Sequence, residues 1–133
     1  MTVRKVVAFT AEVQDQPGVL AEMAQPIADA GINILALYGG PKGEGKAVVC
    51  CVPDDPAKLR ALAAEGGVAV QEHEHLLVEG DDRPGVGASV ARKLAGAGVN
   101  IQAIIGTTTG GKFLLCIRVA PEDIDKAAAA IGG

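Results

Sequence analysis

The stretch Asp15-Gln16-Pro17-Gly18-Val19 decides the fold of this chain, together with the Gly31-Ile32-Asn33-Ile34 that follows it after a run of helical spacing. The pattern occurs twice. Sixty-seven residues later, Asp82-Arg83-Pro84-Gly85-Val86 leads in the same way to Gly98-Val99-Asn100-Ile101. Residues 15–39 and 82–106 agree at 13 of 25 positions without a gap. The chain is therefore predicted to be a tandem of one small unit.

Composition limits what such a tandem can do. The 133 residues divide into halves of about 65, and a unit that small buries only about 60% of its unfolded surface, so each half needs the other. Aromatic residues make up 2% of the chain and hydrophobic residues 49%, which predicts a core of Val, Ile, Leu and Ala. A net charge of −4 without a cluster of Lys or Arg argues against direct binding of nucleic acid.

Three cysteines, an odd number with Cys50 next to Cys51, do not form a disulfide framework and are interpreted as small packing residues in a reducing compartment. Residues 1–7 lack the apolar core of a signal peptide. Residues 94–111 are uncharged, but their glycines and threonines make a poor spanning helix. We expect a soluble, cytoplasmic protein with no membrane association.

The first copy is predicted to run strand, helix, strand, strand, helix, strand. Residues 3–12 form the first strand, and Pro17 opens a helix that Gly31 ends. Residues 39–45 are expected to be a mobile hairpin loop between the second and third strands, and Asp54-Asp55-Pro56 caps the second helix. Val68 is expected to begin the fourth strand. This βαββαβ order predicts an α+β, ferredoxin-like unit with both helices on one face of an antiparallel sheet.

The second copy repeats the order but ends after its second helix, predicted at 121–131, so it lacks its last strand. We place the domain boundary between 1–71 and 72–133. Residues 68–79 contain no Gly, Pro or Asn, which predicts that the fourth strand of copy one runs directly into the first strand of copy two. The outer edge of Leu76-Leu77-Val78 should then be unpaired, and such an edge favours a homodimer with an interface within residues 70–79.

Few residues indicate catalytic or metal chemistry. His73 and His75 share a face of a predicted strand, but two ligands are a weak metal pattern, and an exposed polar strand is favoured. Residues 40–46 and 85–90 imitate phosphate-binding and dinucleotide-binding loops, but the first leads into a strand and the second lacks the third glycine. We predict no cofactor, no metal and no enzymatic activity.

The repeated turn favours a ligand. Its backbone amides open a helix, where unpaired N–H groups bind carboxylates. Asp15 and Asp82 could accept from an ammonium group, and Asn33 and Asn100 carry amides that both donate and accept. Together these groups suit a zwitterion such as a free amino acid. The alternative is that the same residues only cap helices and bind nothing.

The Asp-x-Pro-Gly-Val turn, the helix and the Gly-(Ile/Val)-Asn-Ile segment resemble the ACT domain, a small regulatory module that binds amino acids. The resemblance covers nearly the whole chain, twice. It implies that two units lie side by side in an eight-stranded sheet, with the ligand held by the β1–α1 turn of one unit and the start of β2 of its neighbour.

Carried over by position, the resemblance implies two matching sets of ligand-binding residues. They are Asp15, Gln16, Pro17, Gly18, Val19 and Asn33 in the first repeat, and Asp82, Arg83, Pro84, Gly85, Val86 and Asn100 in the second. Serine-binding relatives have Asn where this chain has Asp15 and Asp82, so the ligand is left open. The chain resembles stand-alone tandem ACT proteins, which implies a regulated enzyme or transcription factor as partner. An ACT pair that binds no ligand and only mediates dimerisation is the alternative.

Overall fold

The computed structural model describes residues 1–132 and confirms the α+β class. The strands are β1 (Thr2–Gln14), β2 (Ile34–Gly43), β3 (Lys46–Pro53), β4 (Gln71–Asp81), β5 (Ala103–Thr109) and β6 (Lys112–Arg118). The helices are α1 (Val19–Asp29), α2 (Pro56–Glu65), α3 (Val86–Gly96) and α4 (Ile124–Gly132), the last preceded by a 3₁₀ turn at Pro121–Asp123. No helix within residues 1–132 is both long and apolar enough to cross a membrane.

The chain forms two compact units, and β1 and β4 each contribute to both. We call residues Val7–His73 the first unit, and Met1–Val6 with the chain from Glu74 onward the second unit. The strand order is β2-β3-β1-β4 in the first unit and β1-β4-β6-β5 in the second. Each unit therefore contains four strands. The sequence predicts four strands for the first repeat but one strand fewer for the second.

The first unit is built around β3, which lies between β2 and β1 and is antiparallel to both. Phe9 of β1 is opposite Cys51, and Leu37 of β2 is also paired with Cys51. Alternate residues of these strands face α1 and α2 because side chains alternate across a strand. A small buried cluster results, formed by Phe9, Ile32, Cys51 and Leu59.

The second unit has a larger core. In β4, Leu76 and Val78 are fully buried, and they lie opposite Ile117 and Leu115 of β6. The helices α3 and α4 cover this face of the sheet. Their fully or nearly fully buried residues are Val90, Leu94, Ile124, Ala127 and Ile131. The apolar residues that recur at helical spacing in the sequence therefore form the buried faces of these helices.

The expectation of an unpaired edge at Leu76-Leu77-Val78 is wrong. Within the second unit, β1 is the neighbour of β4, and the Thr2 hydroxyl lies 3.5 Å from the Glu79 carbonyl oxygen. Val3 packs against the core of this unit, and Lys5 forms an ion pair with Asp125 at 2.7 Å. The physical reason is the length of β1: its 13 residues exceed what one small sheet needs, so its first residues replace the missing fourth strand.

Two other boundaries differ from the sequence analysis. The segment 39–45 is not a mobile loop, because β2 continues to Gly43 and only Glu44 and Gly45 form the turn, with φ of 57° and 74°. Left-handed residues at both turn positions match the twist of a hairpin, which lets the strands extend to the turn. The fourth strand begins at Gln71 and not at Val68, although it does run without a break into the second repeat.

Candidate functional site

Both repeated turns start a helix without a side-chain cap. Gly18 and Gly85 occupy the N-cap positions of α1 and α3 with φ of 90° and 93°, and no side chain accepts from the first-turn amides. By contrast, the Asp55 carboxylate caps α2 by accepting from the Lys58 N–H at 3.2 Å. The first turns of α1 and α3 therefore present amides that a ligand carboxylate could accept from.

The backbone holds each turn against the neighbouring hairpin. The Asp15 N–H donates to the Gly45 carbonyl at 2.9 Å, and the Asp82 N–H donates to the Gly111 carbonyl at 2.9 Å. The side chains of Asp15 and Asp82 remain exposed. Because neither carboxylate caps its helix, the interpretation of these residues as caps is not what the structure shows.

In the second unit the turn borders a depression of about 520 Å³. One wall is the turn, and the other is the end of β5 around Thr107 and Thr108. Phe113 and Leu115 of β6 also line it. At Gly106, a Cβ atom would overlap the Leu115 side chain, so glycine leaves room here for the leucine. The turn residues that line the depression are Asp82, Arg83, Gly85, Val86 and Gly87.

These groups are chemically complementary to a zwitterion. Asp82 offers a carboxylate and Arg83 a guanidinium on the same rim, and both are exposed. The uncapped start of α3 adds N–H donors, and the hydroxyls of Thr107 and Thr108 can donate or accept. An ammonium group and a carboxylate of one small molecule can both find partners here.

The two asparagines lie away from their own turns. Asn33 and Asn100 follow the carboxyl ends of α1 and α3, whereas the turns precede the amino ends. Each helix has 11 residues, so about 16 Å separates turn from asparagine within a repeat. The backbone of Asn33 forms two hydrogen bonds with Asp54. Its N–H donates to the Asp54 side-chain Oδ1 at 3.1 Å, and its carbonyl accepts from the Asp54 N–H at 2.8 Å. Neither asparagine lines the depression.

A family model for the ACT domain matches residues 7–65 and again residues 75–132. The chain belongs to the ACT domain family. It is a tandem ACT protein, with each match containing one copy of the turn, so the family resemblance seen in the sequence is confirmed. No curated protein matches the chain significantly.

Solved structures share the tandem architecture. Protein BT0572 from Bacteroides thetaiotaomicron matches with a TM-score of 0.87 at 19% identity, covering 98% of this chain and 88% of that one. The ligand-free regulatory subunit of aspartate kinase from Thermus thermophilus matches with a TM-score of 0.66 at 22% identity, covering 99% and 95%. Aspartate kinase from Synechocystis matches with a TM-score of 0.70 at 20% identity, covering 98% of this chain and 26% of the enzyme. These similarities show the fold.

The first ACT repeat has different residues at the positions that line the depression in the second repeat. Where the second repeat has Arg83, the first has Gln16, and Gly40 and Pro41 replace the two threonines. The turn residues from Asp15 to Gly18 are exposed. Val19, one of the ligand-binding residues expected for this repeat, borders a different, apolar cavity. The polar groups suited to a zwitterion are thus concentrated in the second repeat.

The far wall of the depression was not predicted from the sequence. Thr107, Thr108, Phe113 and Leu115 belong to β5 and β6, and the hairpin register brings them opposite the turn. A signal was present in Gly106, which is the repeat equivalent of Gly39. A glycine kept at the same place in both copies indicates a close approach of neighbouring atoms.

His75 corrects another expectation. It is fully buried and not part of an exposed polar strand, and its Nδ1 lies 3.6 Å from the Cys116 Sγ. His73 is half-buried, with its Nε2 3.4 Å from the Thr10 hydroxyl. Among residues 1–132, no group of three or more His, Cys, Asp or Glu side chains is arranged to hold a metal.

The cysteines pack as expected. Cys50, Cys51 and Cys116 are all buried. Burial raises the pKa of the Cys51 thiol to about 11. At neutral pH this side chain is therefore a thiol and not the nucleophilic thiolate.

Proposed function

We propose that this tandem ACT protein is a non-catalytic regulatory module that binds a free amino acid at the turn of its second repeat and signals to a partner. The observation that carries the proposal is the depression bordered by Asp82 and Arg83. Two opposite charges, hydroxyl groups and an uncapped helix start line one site. A volume of about 520 Å³ lies within the range of small-molecule sites.

In this site Asp82 accepts from the ligand ammonium group. The ligand carboxylate faces the first-turn amides of α3 and the Arg83 guanidinium. Charge-assisted hydrogen bonds of this kind are roughly twice as strong as neutral ones. The apolar side chains of Phe113 and Leu115 are left to contact the ligand side chain, which favours an amino acid that is not strongly charged at its far end.

A second copy of the chain completes the site with Asn100. The outer edge of β5 pairs with no other strand among residues 1–132, and Ile104 and Ile105 are 48% and 44% exposed there. If two β5 edges pair antiparallel, the start of one strand lies beside the end of the other. Asn100 of one copy then lies near Thr107 and Thr108 of its mate. This homodimer replaces the one expected at residues 70–79, whose edge is occupied.

The partner we propose is an enzyme or transcription factor of amino-acid metabolism in the cytoplasm. The support is architectural: similar folds include a structure described as the regulatory subunit of aspartate kinase. Ligand binding between two copies would change how those copies contact the regulated protein. Each repeat, 1–71 and 72–133, is one candidate ligand-binding unit, although the second carries the better set of groups.

Isothermal calorimetry with each of the twenty amino acids tests this proposal. We expect at least one to bind. Asp82→Asn should weaken that amino acid more than the analogue lacking its ammonium group, because the variant keeps the shape of the side chain and loses the charge. Asp15→Asn, the equivalent change in the first repeat, is the control and should have the smaller effect. Absence of binding by all twenty would favour the alternative, an ACT pair that serves only for dimerisation.

A further inference from the structure

The first unit contains an apolar cavity of about 490 Å³ between its two helices and its sheet. It is lined by α1 and α2, by β1 and β3, and by the segment that follows α2. The side chains that enclose it include Phe9, Met23, Ile27, Leu62 and Val70. Its volume is that of a small-molecule site, and such sites are mostly apolar with a few polar groups.

The second repeat shows what a filled core looks like at the same positions. The repeat equivalents of Met23 and Ile27 are Val90 and Leu94, and both of these are fully buried. Met23 and Ile27 are only half-buried, and α1 has no fully buried residue although it is amphipathic. The apolar face of α1 therefore lies along the cavity and lacks the packing that α3 has. An open apolar cavity leaves dispersion contacts unmade, and an apolar ligand would supply them.

The acidic side chains around the cavity favour a ligand with a positive charge. Glu22 of α1 and Glu65 of α2 line the cavity, and both are exposed. Among residues 1–132, no Lys or Arg lines it. A carboxylate such as that of a fatty acid would meet two acidic side chains. A positively charged group would pair with them while its apolar body fills the space between the helices. Charge complementarity thus favours a cationic amphiphile over an anionic or neutral one.

We propose that this cavity is a second ligand site, specific for small apolar amines, separate from the amino-acid site of the second repeat. The two sites share no residue, and they belong to different units. Val19 links the cavity to the first repeat's turn, since it follows Gly18 at the start of α1. An amine in the cavity would therefore hold the first turn of α1 against the sheet.

Three probes of equal chain length test the head-group preference on the full chain: octylamine, octanol and octanoate, each below its micelle concentration. Binding is followed by changes in the ¹H–¹⁵N NMR spectrum and by calorimetry. We expect octylamine to bind at least about tenfold more tightly than octanol, and octanoate to bind most weakly. The amides that shift should be those of α1, α2 and β3. Absence of binding by octylamine at millimolar concentration would overturn the proposal.

Amino-acid substitutions test separately how the acidic side chains and the apolar cavity contribute to octylamine binding. Glu22→Gln with Glu65→Gln should reduce the affinity for octylamine to that for octanol. Ala63→Met narrows the cavity and should weaken binding of all three probes; should that variant not fold, Val70→Phe places the added bulk at a half-buried position. Ser89→Gln, at the repeat equivalent of Glu22, is the control and should change nothing. Undiminished octylamine binding in the Ala63→Met variant would overturn the proposal.

Discussion

At the residue scale, repeat-equivalent positions have different neighbours, and the difference decides what each can tolerate. A Cβ at Gly39 would lie 2.6 Å from the Val48 carbonyl oxygen, which belongs to the backbone of the paired strand. A Cβ at Gly106 would meet the end of the flexible Leu115 side chain. A side chain can rotate away from an added methyl group, whereas a strand backbone can move only with its sheet.

We therefore expect Gly39→Ala to cost more stability than Gly106→Ala. Overpacking that the structure cannot relieve costs about 1–3 kcal/mol, and we expect Gly39→Ala to fall in that range and Gly106→Ala below it. Urea denaturation of the two variants measures the difference. Gly106→Ala should also push Leu115 toward the depression and weaken amino-acid binding. Equal destabilisation by both changes would contradict the contacts described for the two hairpins.

Asp55 caps a helix, whereas Asp15 and Asp82 are candidate ligand-binding residues. Asp55→Ala removes the side chain that caps α2 and should lower the free energy of unfolding by about 1 kcal/mol. Asp15→Asn and Asp82→Asn change exposed side chains that cap no helix, so they should alter stability by less than about 0.5 kcal/mol. Thermal unfolding of the three variants without ligand is the measurement. If Asp82→Asn lowered the free energy of unfolding as much as Asp55→Ala, Asp82 would have a structural role.

At the element scale, β1 connects the two units through its length. Val7–Gln14 lies beside β3 in the first unit, and Thr2–Val6 lies beside β4 in the second. The sequence indicated a strand at this position and a missing strand after α4. The sequence did not indicate that the start of β1 could take the place of the missing strand. Alternation of apolar residues shows that a strand exists, but it does not show which strand it pairs with.

Removing residues 1–6 should expose the edge of β4. We expect the amides of Glu74–Asp81 to exchange faster with solvent, and the shortened protein to associate, since an unpaired apolar edge recruits other chains. Hydrogen exchange and light scattering measure the two effects. As a control, Thr2→Val keeps the strand and removes only the hydroxyl near Glu79, so it should leave both measurements unchanged. Unchanged protection in the shortened protein would show that β4 is covered by something else.

A second contact between elements predicts how stability depends on pH. The Arg60 guanidinium on α2 donates two hydrogen bonds to Glu72 on β4, at 2.8 Å and 2.6 Å, and these lower the pKa of the Glu72 carboxyl below its ordinary value of 4.5. A lowered pKa in the folded state stabilises the fold above the ordinary value, and this contribution is lost as the pH falls through the lowered one. Glu72→Gln should therefore flatten the loss of stability on acidification below about pH 5. Arg60→Gln should flatten it equally, and a difference between the two variants would show that other groups hold the carboxylate.

At the scale of the whole molecule, the repeat made the fold predictable. Two copies of one turn, one helix and one glycine–asparagine segment fix the element order, and buried residues such as Leu94 follow from helical spacing. Features that depend on distant parts of the chain were not predictable. The burial of His75 depends on the pairing of β4 with β6, which are far apart in sequence. The wall formed by Thr107 and Thr108 depends on where the β5–β6 hairpin lies relative to the distant turn at 82–87, and a local pattern carries no information on either arrangement.

The proposed pairing of two copies at β5 makes its own prediction. Ile105→Lys places a charge on the exposed edge strand and should dissociate the dimer, because like charges then oppose each other across the interface. Amino-acid affinity should fall with it, by about 1–3 kcal/mol, and Asn100→Ala should give a similar loss without dissociating the dimer. Analytical ultracentrifugation and calorimetry measure the two properties. Leu37→Lys, which changes an exposed residue of β2, is the control. Leu77 is buried, so Leu77→Lys is expected to unfold the second unit and is not a suitable control.

Binding of an amino acid at the turn of the second repeat is tested by residue-resolved NMR with the amino acid found by calorimetry. We expect the amides of residues 82–83, 85–87 and 106–108 to shift together on titration, those of Asn100 to shift with them, and Asp82→Asn to suppress all of these changes. Shifts confined to the first repeat, or saturable binding with the amides of 82–83 and 85–87 unmoved, would contradict binding at this turn.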